Sequence, residues 1–231
     1  RAARRPGSGV KWLWWLGGAL LVPALWLGGP LVARHLDFFR VRRVEFAGLR
    51  SGSPDSALAR LALPRTLNLF EDLAAVEKRA SRIPGVRSAH VSRRLPGTLV
   101  VTVQERAPVA LVPTGGSLRL MDAAGKVLPF DPERSAPDLP VAATAAPQIG
   151  RLLAEVRRVD PALFGRVTAA RLRGTDVALT VDGRQFVFRP DASIEEMRAV
   201  TLVASDLAAR GQAFDELDGR FAGCVVVRGG A

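Results

Sequence analysis

The sequence predicts an α+β protein behind one N-terminal transmembrane helix, and three patterns lead to that prediction. A run without any charged residue occupies Trp12–Ala33. After it come short stretches with the period-two alternation of strands, interleaved with stripes of helical spacing. The first of these elements follow the order strand, helix, helix, strand, strand, which is a compact α+β unit. A second region rich in strands, with flanking helices, completes the chain.

The apolar run is long enough to cross a bilayer. As a helix it extends about 33 Å, against a hydrocarbon core of about 30 Å. Trp12, Trp14 and Trp15 lie beside Lys11 at one end, which is typical of a membrane interface. A cleaved signal peptide is the rival interpretation, but its apolar region is only about 7–15 residues long. We therefore expect a cytoplasmic tail at 1–11 and a transmembrane helix at 12–33.

The charges around the run leave its orientation nearly balanced. Arg1, Arg4, Arg5 and Lys11 precede it, and Arg34, Arg40, Arg42 and Arg43 follow it. The positive-inside rule therefore decides little. We expect a short tail inside the cell and a large domain outside it. The arginines that follow the run are candidates for contact with anionic lipid headgroups.

Composition limits the classes of function. The 231 residues carry a formal net charge of +11, mostly from arginine. These cations are spread along the chain, and the part after the run contains no Trp or Tyr on which bases could stack. We therefore expect no nucleic-acid partner. Since Cys224 is the single cysteine, no intrachain disulfide can form.

The first region after the run alternates strands and helices. Alternation predicts a strand at 41–46, and Ser53-Pro54-Asp55 is a typical helix start, with a capping residue followed by proline. Helical spacing from Leu69 to Ile83 predicts a second helix, which Pro84-Gly85 ends. Strands at 86–93 and 98–105 follow, on either side of a Pro-Gly turn.

The second region begins with a predicted hairpin and ends with a predicted strand. The hairpin has strands at 118–121 and 127–130 around the turn Asp122-Ala123-Ala124-Gly125. A helix at 149–159 and three strands at 167–173, 177–181 and 185–189 follow. Ser193 and Glu196 form a capping box that opens a helix, and Gly211 is placed to end it. The last strand falls within 214–228, around Val225-Val226-Val227.

Several motifs resemble those of the FtsQ/DivIB family of bacterial division proteins and its POTRA domain. They are Leu67-Asn68-Leu69-Phe70, Ile83-Pro84-Gly85-Val86, Arg93-Arg94-Leu95-Pro96-Gly97-Thr98-Leu99 and Glu105-Arg106-Ala107-Pro108-Val109-Ala110. The turn from Asp122 to Gly125 and the stretch Leu217-Asp218-Gly219-Arg220-Phe221 are also similar to that family, although Gly219 stands where the family usually has Leu. The resemblance implies a POTRA domain at 39–108 and an FtsQ-type β domain at 109–231.

The C-terminal strand is the candidate docking site. A terminal strand can leave an open sheet edge to which another chain adds a strand. Val225, Val226 and Val227 would form the ladder, Phe221 an apolar anchor, and Arg220 a charge pair with an acidic partner. The competing interpretation is that the valines are core residues, which must hold for alternate ones.

The family resemblance implies particular partners for this strand. It implies that the C-terminal region receives the small coiled-coil proteins FtsB and FtsL, with the motif at Asp218 to Phe221 in contact with them. Arg171 and Arg173, on one face of an earlier strand, are candidate accessory contacts. In the POTRA domain the face at 87–94 is a candidate site for other division proteins, as is the transmembrane helix, although a merely solvated basic face is the alternative.

Catalytic groups are sparse. His35 lies at the membrane edge and His90 in a predicted strand, so two histidines in such different positions do not suggest a metal site or a triad. A lone Cys224 beside a valine run is typical of a small core residue. Ser8-Gly9-Val10-Lys11 has the spacing of an acyl-enzyme motif but lies in a tail beside the predicted span. We expect no enzymatic activity, no metal and no cofactor.

Together these patterns predict a cell-division scaffold. It would be a single-pass protein of the inner membrane at the division septum, with its large domain outside, linking early division proteins to septal peptidoglycan synthesis. A POTRA-containing adaptor for outer-membrane protein insertion or secretion is the alternative, although such proteins usually carry several POTRA units and a barrel. A membrane-anchored enzyme would require an active site that the sequence does not display.

Overall fold

The computed structural model describes residues 32–33, 36–135, 138–221 and 223–229. The predicted tail at 1–11 and most of the predicted span at 12–33 therefore lie outside the described residues. Val32 and Ala33, at the end of that span, are helical. Within the described ranges, no helix combines the length and the apolar character that a membrane crossing needs.

The described chain divides into two compact units. The first contains the residues up to Gly48 together with Pro54–Ile83 and Ser88–Gln104. Its elements are a 3-10 helix at Asp37–Phe39, strand β1 at Arg43–Ala47, helices α1 at Pro54–Leu61 and α2 at Ala74–Ala80, and strands β2 at Val86–Arg94 and β3 at Thr98–Glu105. The first two residues of β2 and the last residue of β3 are assigned to the second unit. The sheet order is β1-β3-β2, with β1 parallel to β3. The predicted order of elements is confirmed.

The core of the first unit follows the two sequence periods. Alternation along β3 buries Leu99 and Val101 completely. Helical spacing along α2 buries Val76 and Ala80, which are 1% and 0% exposed. The sheet and the helices thus each contribute one apolar face to this core.

Helix α2 is shorter than the predicted stripe, which begins at Leu69. Two polar side chains hold the preceding residues in turns. The Oδ1 of Asn68 accepts a hydrogen bond from the Phe70 N–H at 2.9 Å, and the Oδ1 of Asp72 accepts one from the Ala74 N–H at 2.9 Å. Such side chains offer the backbone an alternative to helical hydrogen bonds. Leu69 is fully buried all the same, so its spacing identified a core position but not the start of the helix.

The second unit contains Leu49–Ser53, Pro84–Arg87 and the chain from Glu105 onward. Its strands are β4 at Pro108–Thr114, β5 at Ser117–Asp122, β6 at Val141–Ala142, β7 at Val167–Arg173, β8 at Asp176–Val181, β9 at Arg184–Phe188, β10 at Glu216–Asp218 and β11 at Val226–Arg228. They form one sheet in the order β11-β10-β9-β8-β7-β6-β4-β5. Its helices are α3 at Pro132–Ser135, α4 at Pro147–Val159, α5 at Pro161–Arg166 and α6 at Ile194–Ala209.

One apolar cluster joins this sheet to its longer helices. Helix α4 contributes Leu153 and helix α6 contributes Val200, both fully buried. Leu179 of β8, Phe186 of β9 and Leu217 of β10 belong to the same cluster. Because these strand positions share one face of the sheet, that face is the one the helices cover. We call the opposite side the polar face.

The predicted hairpin around Asp122 is wrong in its second strand. Strand β5 pairs with β4, which the sequence did not predict, and a single bridge joins Met121 to Val127. The reason is the buried Asp122 carboxylate, which accepts hydrogen bonds from the N–H groups of Ala124 and Lys126 at 2.9 and 2.8 Å. These bonds fix a tight turn, and Arg106 pairs with the same carboxylate at 3.2 Å.

The remaining helices show where local signals decide the structure. The predicted capping box of α6 is confirmed, because Ser193 and Glu196 each accept a hydrogen bond from the other's N–H. Gly211 follows the helix with a φ of +66°, as its predicted capping role requires. Helix α5 was not predicted. Pro161 opens it, and the Asp160 side chain caps it by accepting from the Leu163 N–H at 2.9 Å.

Candidate partner-binding edge at the C-terminus

Strand β11 lies at one end of the eight-stranded sheet. It pairs antiparallel with β10, so that Asp218 faces Val226 and Leu217 faces Val227. No other strand of the described residues flanks it. Its outer side therefore presents backbone N–H and C=O groups that no described strand uses, and such an edge can accept a strand from another chain.

The valines of the predicted ladder divide between the surface and the core. Val226 and Val227 lie in β11 and are 37% and 42% exposed. Val225 precedes the strand and packs, half-buried, against the core of the second unit. The competing interpretation as core thus describes Val225, whereas the other two are on the surface.

Phe221 is an exposed aromatic side chain beside this strand, with 47% of its surface accessible. The Arg220 guanidinium lies 5.8 Å from the centre of its ring. Phe221 and Val225 line a groove of about 360 Å³ whose other wall includes Glu195 and Ala199 of α6. The exposed ring therefore shares a groove with Val225, the residue that directly precedes β11.

Asp218 is the centre of an ion-pair network. The carboxylate is 0% exposed and accepts hydrogen bonds from Nε and Nη2 of Arg220 at 2.8 and 2.6 Å and from Nη2 of Arg228 at 3.1 Å. Arg220 reaches further, to Asp176 on β8 at 2.8 Å. Asp218 is thus a positioning residue: it holds the two arginines and has no surface of its own for a partner.

The same contacts change the affinity of these groups for protons. Hydrogen bonds from Arg220 lower the pKa of the Asp218 carboxyl below its ordinary value, although burial acts in the opposite direction. Hydrogen bonds to Asp218 and Asp176 raise the pKa of the Arg220 guanidinium. Asp218 and Arg220 are therefore both charged at neutral pH.

Arg171 and Arg173 lie on the polar face. The register aligns Arg171 with Ala178, Val187 and Asp218 across β7, β8, β9 and β10, so their side chains share one side of the sheet. Arg171 is exposed, whereas Arg173 is engaged with Glu216 of β10 at 2.6 Å. The structure thus brings both arginines to the same face as Val226.

Three charged residues of this site were missed by the sequence. Glu216 pairs with Arg173 at 2.6 Å and with Arg228 at 3.5 Å, and Asp176 pairs with Arg220. Arg228 follows Val226 by two residues, so alternation could have placed it on the polar face. No sequence pattern indicated Asp176, because its partner Arg220 is 44 positions away.

The residues considered for chemistry are separated. His90 Nδ1 lies 3.1 Å from Glu77 Oε2, the Cys224 thiol is exposed, and His35 and Ser8–Lys11 lie outside the described residues. Among the residues described, no three His, Cys, Asp or Glu side chains are grouped so that they could hold a metal ion.

Known proteins are similar to both units of this chain. The sequence profile of the FtsQ-type POTRA domain matches residues 39–106. The cell division protein FtsQ of Rhodothermus marinus is 28% identical over 95% of this chain and 81% of that protein. The FtsQ of Myxococcus fulvus is 30% identical over 89% of this chain and 78% of that protein. The solved extracytoplasmic domain of the division protein DivIB from Geobacillus stearothermophilus matches 46% of this chain and 97% of that domain, with a TM-score of 0.34 and 14% identity.

The profile match spans the strand-helix-helix-strand-strand order of the first unit, from the last residue of the 3-10 helix through β3. The FtsQ proteins of Rhodothermus marinus and Myxococcus fulvus extend the similarity over the second unit, which carries the open edge. The chain belongs to the FtsQ family of cell division proteins.

Proposed function

We propose that this protein is a non-enzymatic, single-pass scaffold of the division machinery that binds FtsB- and FtsL-type partners along the outer side of β11. In this way it links early division proteins to septal peptidoglycan synthesis. The observation that carries the proposal is the position of β11 at the end of the sheet, with Val226 and Val227 exposed.

Strand addition would give each part of the edge a defined role. The backbone of the partner pairs with β11, and its side chains alternate between the two faces of the extended sheet. Those on the helix side meet Phe221 and the groove beside it. Those on the polar face meet Val226 and Arg228, whose half-exposed guanidinium can pair with an acidic side chain. Arg171 lies four strands further into the sheet, so only a partner segment that continues across the polar face would reach it.

The rest of the chain anchors and extends this scaffold. The predicted helix at 12–33 would hold it in the inner membrane at the septum, with both units outside the cytoplasm. The exposed arginines along β2, at 87–94, remain the candidate surface for other division proteins. The alternative, an adaptor for outer-membrane insertion or secretion, has less support, because the similarity to FtsQ proteins continues through the second unit.

Co-purification tests the docking edge. The full chain is co-expressed with the FtsB and FtsL proteins of its own cell, and recovery of the complex is compared between the wild type and the double variant Phe221→Glu/Val226→Glu. We expect the double variant to lose the partners, because it removes the apolar anchor Phe221 and one exposed side chain of β11 and adds two carboxylates to the edge.

The matched control is Leu118→Glu, on β5 at the opposite end of the same sheet and 46% exposed. This variant should recover the complex at the wild-type level. If the double variant keeps its circular dichroism spectrum and binds the partners undiminished, the edge is not the docking site. Depletion in the source cell tests the wider role: filaments with unfinished septa are expected, and normal septation contradicts it.

A further inference from the structure

Asn68 fastens the start of the described chain to the first unit. Its side chain is 3% exposed, and its Nδ2 donates to the carbonyl oxygens of Ala33 and Leu36 at 3.2 and 3.1 Å. The Val41 N–H donates to the Leu67 carbonyl at 2.9 Å. Ala33, Leu36 and Val41 are therefore each hydrogen-bonded to the folded unit.

The turn between β2 and β3 lies against the same segment. The N–H groups of Arg42 and Arg43 both donate to the Gly97 carbonyl, at 2.8 and 3.2 Å. Leu95 stands in this turn with 58% of its surface exposed. A turn distant in the sequence is thus close in space to the segment that follows the apolar run.

Exposed apolar side chains gather at this end of the unit. Phe38 is 58% exposed and Leu36 is 47% exposed. Phe38 packs edge-on against Phe39, with ring centroids 5.1 Å apart, and the Arg42 guanidinium lies 5.9 Å from its ring centre. These contacts hold the Phe38 ring in place while much of it faces solvent.

Arg42 and Arg43 bring positive charge to the same segment, and the Arg42 Nη2 donates to the Phe38 carbonyl oxygen at 3.0 Å. No carboxylate of the described residues lies within ion-pair distance of the exposed Arg42 or Arg43. The acidic groups nearby have other partners, since Asp37 pairs with Arg40 at 2.8 Å and Glu45 with Arg94 at 2.6 Å. Glu71 accepts from the Asn68 N–H instead.

We propose that this end of the first unit lies in the headgroup layer of an anionic bilayer. The surface, here called the lipid-facing patch, consists of Leu36, Phe38, Arg42, Arg43 and Leu95. Apolar tips ringed by guanidinium groups are what an interfacial surface requires, because the tips enter the boundary layer while the cations meet anionic lipid. The charge-free run that ends at Ala33 brings the bilayer to this side. The inference rests on the single-pass anchorage proposed above.

The lipid-facing patch fixes the orientation of the first unit on the membrane. Asn68 binds the end of the apolar run to the unit, and Leu95 contacts the bilayer from the turn between β2 and β3. The unit is therefore held at two points and does not rotate freely about one. A POTRA unit held in this way presents a constant face to other membrane-anchored proteins.

Lipid quenching at Leu95 tests this inference. The full chain carrying Cys224→Ser is given a single cysteine by Leu95→Cys, labelled with an environment-sensitive fluorophore, and reconstituted into vesicles of phosphatidylcholine with or without phosphatidylglycerol. Quenching by spin-labelled lipid should be strong, and stronger with phosphatidylglycerol. The control is Leu58→Cys on α1, 43% exposed in the same unit, whose label should stay unquenched.

A charge variant tests the electrostatic part. Arg43→Gln in the Leu95→Cys chain should lower the docked-to-undocked ratio about fivefold in phosphatidylglycerol vesicles and leave it unchanged in phosphatidylcholine. Equal quenching at Leu95 and Leu58 overturns the inference, and indicates that the patch serves a protein partner or none.

Flotation separates this inference from the function it rests on. A chain that does not float with the vesicles contradicts the single-pass anchorage itself, and with it the patch. A chain that floats and binds FtsB and FtsL, but shows no quenching at Leu95, overturns the lipid-facing patch alone.

Discussion

Replacing Arg220 by alanine should loosen the docking edge by breaking its ion-pair network. The variant removes two hydrogen bonds to the fully buried Asp218 carboxylate, at 2.8 and 2.6 Å, and one to Asp176 at 2.8 Å. Hydrogen bonds to charged groups contribute about 1.5–3 kcal/mol, and breaking a fully buried ion pair costs about 3–5 kcal/mol.

Two features reduce the expected cost. The Arg220 side chain is 27% exposed, so part of its charge is solvated, and Arg228 remains bonded to Asp218 at 3.1 Å. We therefore expect Arg220→Ala to lower the free energy of unfolding by about 2 kcal/mol, a large change for a protein of ordinary stability. Urea unfolding of the full chain in detergent, followed by circular dichroism, measures this change. Hydrogen exchange of β10 and β11 shows whether it is local.

An exposed ion pair of the same unit provides the control. Arg166 and Asp182 are 54% and 52% exposed, so Arg166→Ala should change the free energy of unfolding by no more than about 0.5 kcal/mol. In addition, Asp218→Asn should recover part of the loss in the Arg220→Ala chain, since it removes the unpaired charge. Equal effects at Arg220 and Arg166, or strictly additive losses at Asp218 and Arg220, would refute the reasoning.

Two further predictions concern the same site. Because Arg220 lowers the pKa of Asp218, its carboxylate stabilises the fold fully above the ordinary carboxyl pKa of about 3.9, and this stability is lost as the pH falls through the lowered value. The urea midpoint should therefore fall more between about pH 6 and pH 3 in the wild type than in Asp218→Asn, and parallel curves would contradict this. Gly219→Ala should destabilise the fold by about 1–3 kcal/mol, since its Cβ would lie 2.5 Å from Val200 Cγ2. Adding Val200→Ala should recover part of that loss in the same titration, and no recovery would contradict the steric cause.

Features determined by neighbouring residues could be predicted from the sequence. The capping box of α6 involves only Ser193 and Glu196, three positions apart, and it stands as predicted. The period-two stretches that became β2, β3, β7, β8 and β9 also lie close to their predicted bounds. In each case the side chains that decide the conformation are within a few residues of one another.

Features determined by distant residues could not be predicted. Asn68 bonds to carbonyl groups 32 and 35 positions earlier, and the shortened start of α2 goes with this arrangement. Arg220 meets Asp176 across 44 positions. Asp218 was predicted as a contact from the motif alone, because burial is not visible in a motif. The edge position of β11 is a matter of strand pairing, and alternation identifies a strand without identifying its neighbours in the sheet.

The shortness of β11 limits how tightly it can hold another chain by itself. The strand has three residues, and Gly223 and Gly229, with φ of +76° and +78°, bend the backbone away on either side. So short a ladder offers a few hydrogen bonds, each worth about 0.5–1.5 kcal/mol, which alone correspond to millimolar affinity or weaker. Under the anchorage proposed above, confinement of both proteins to one membrane would supply the missing factor, because it raises their effective concentration. The proposed assembly at this edge would then depend on shared anchorage, and free fragments of a partner would compete poorly.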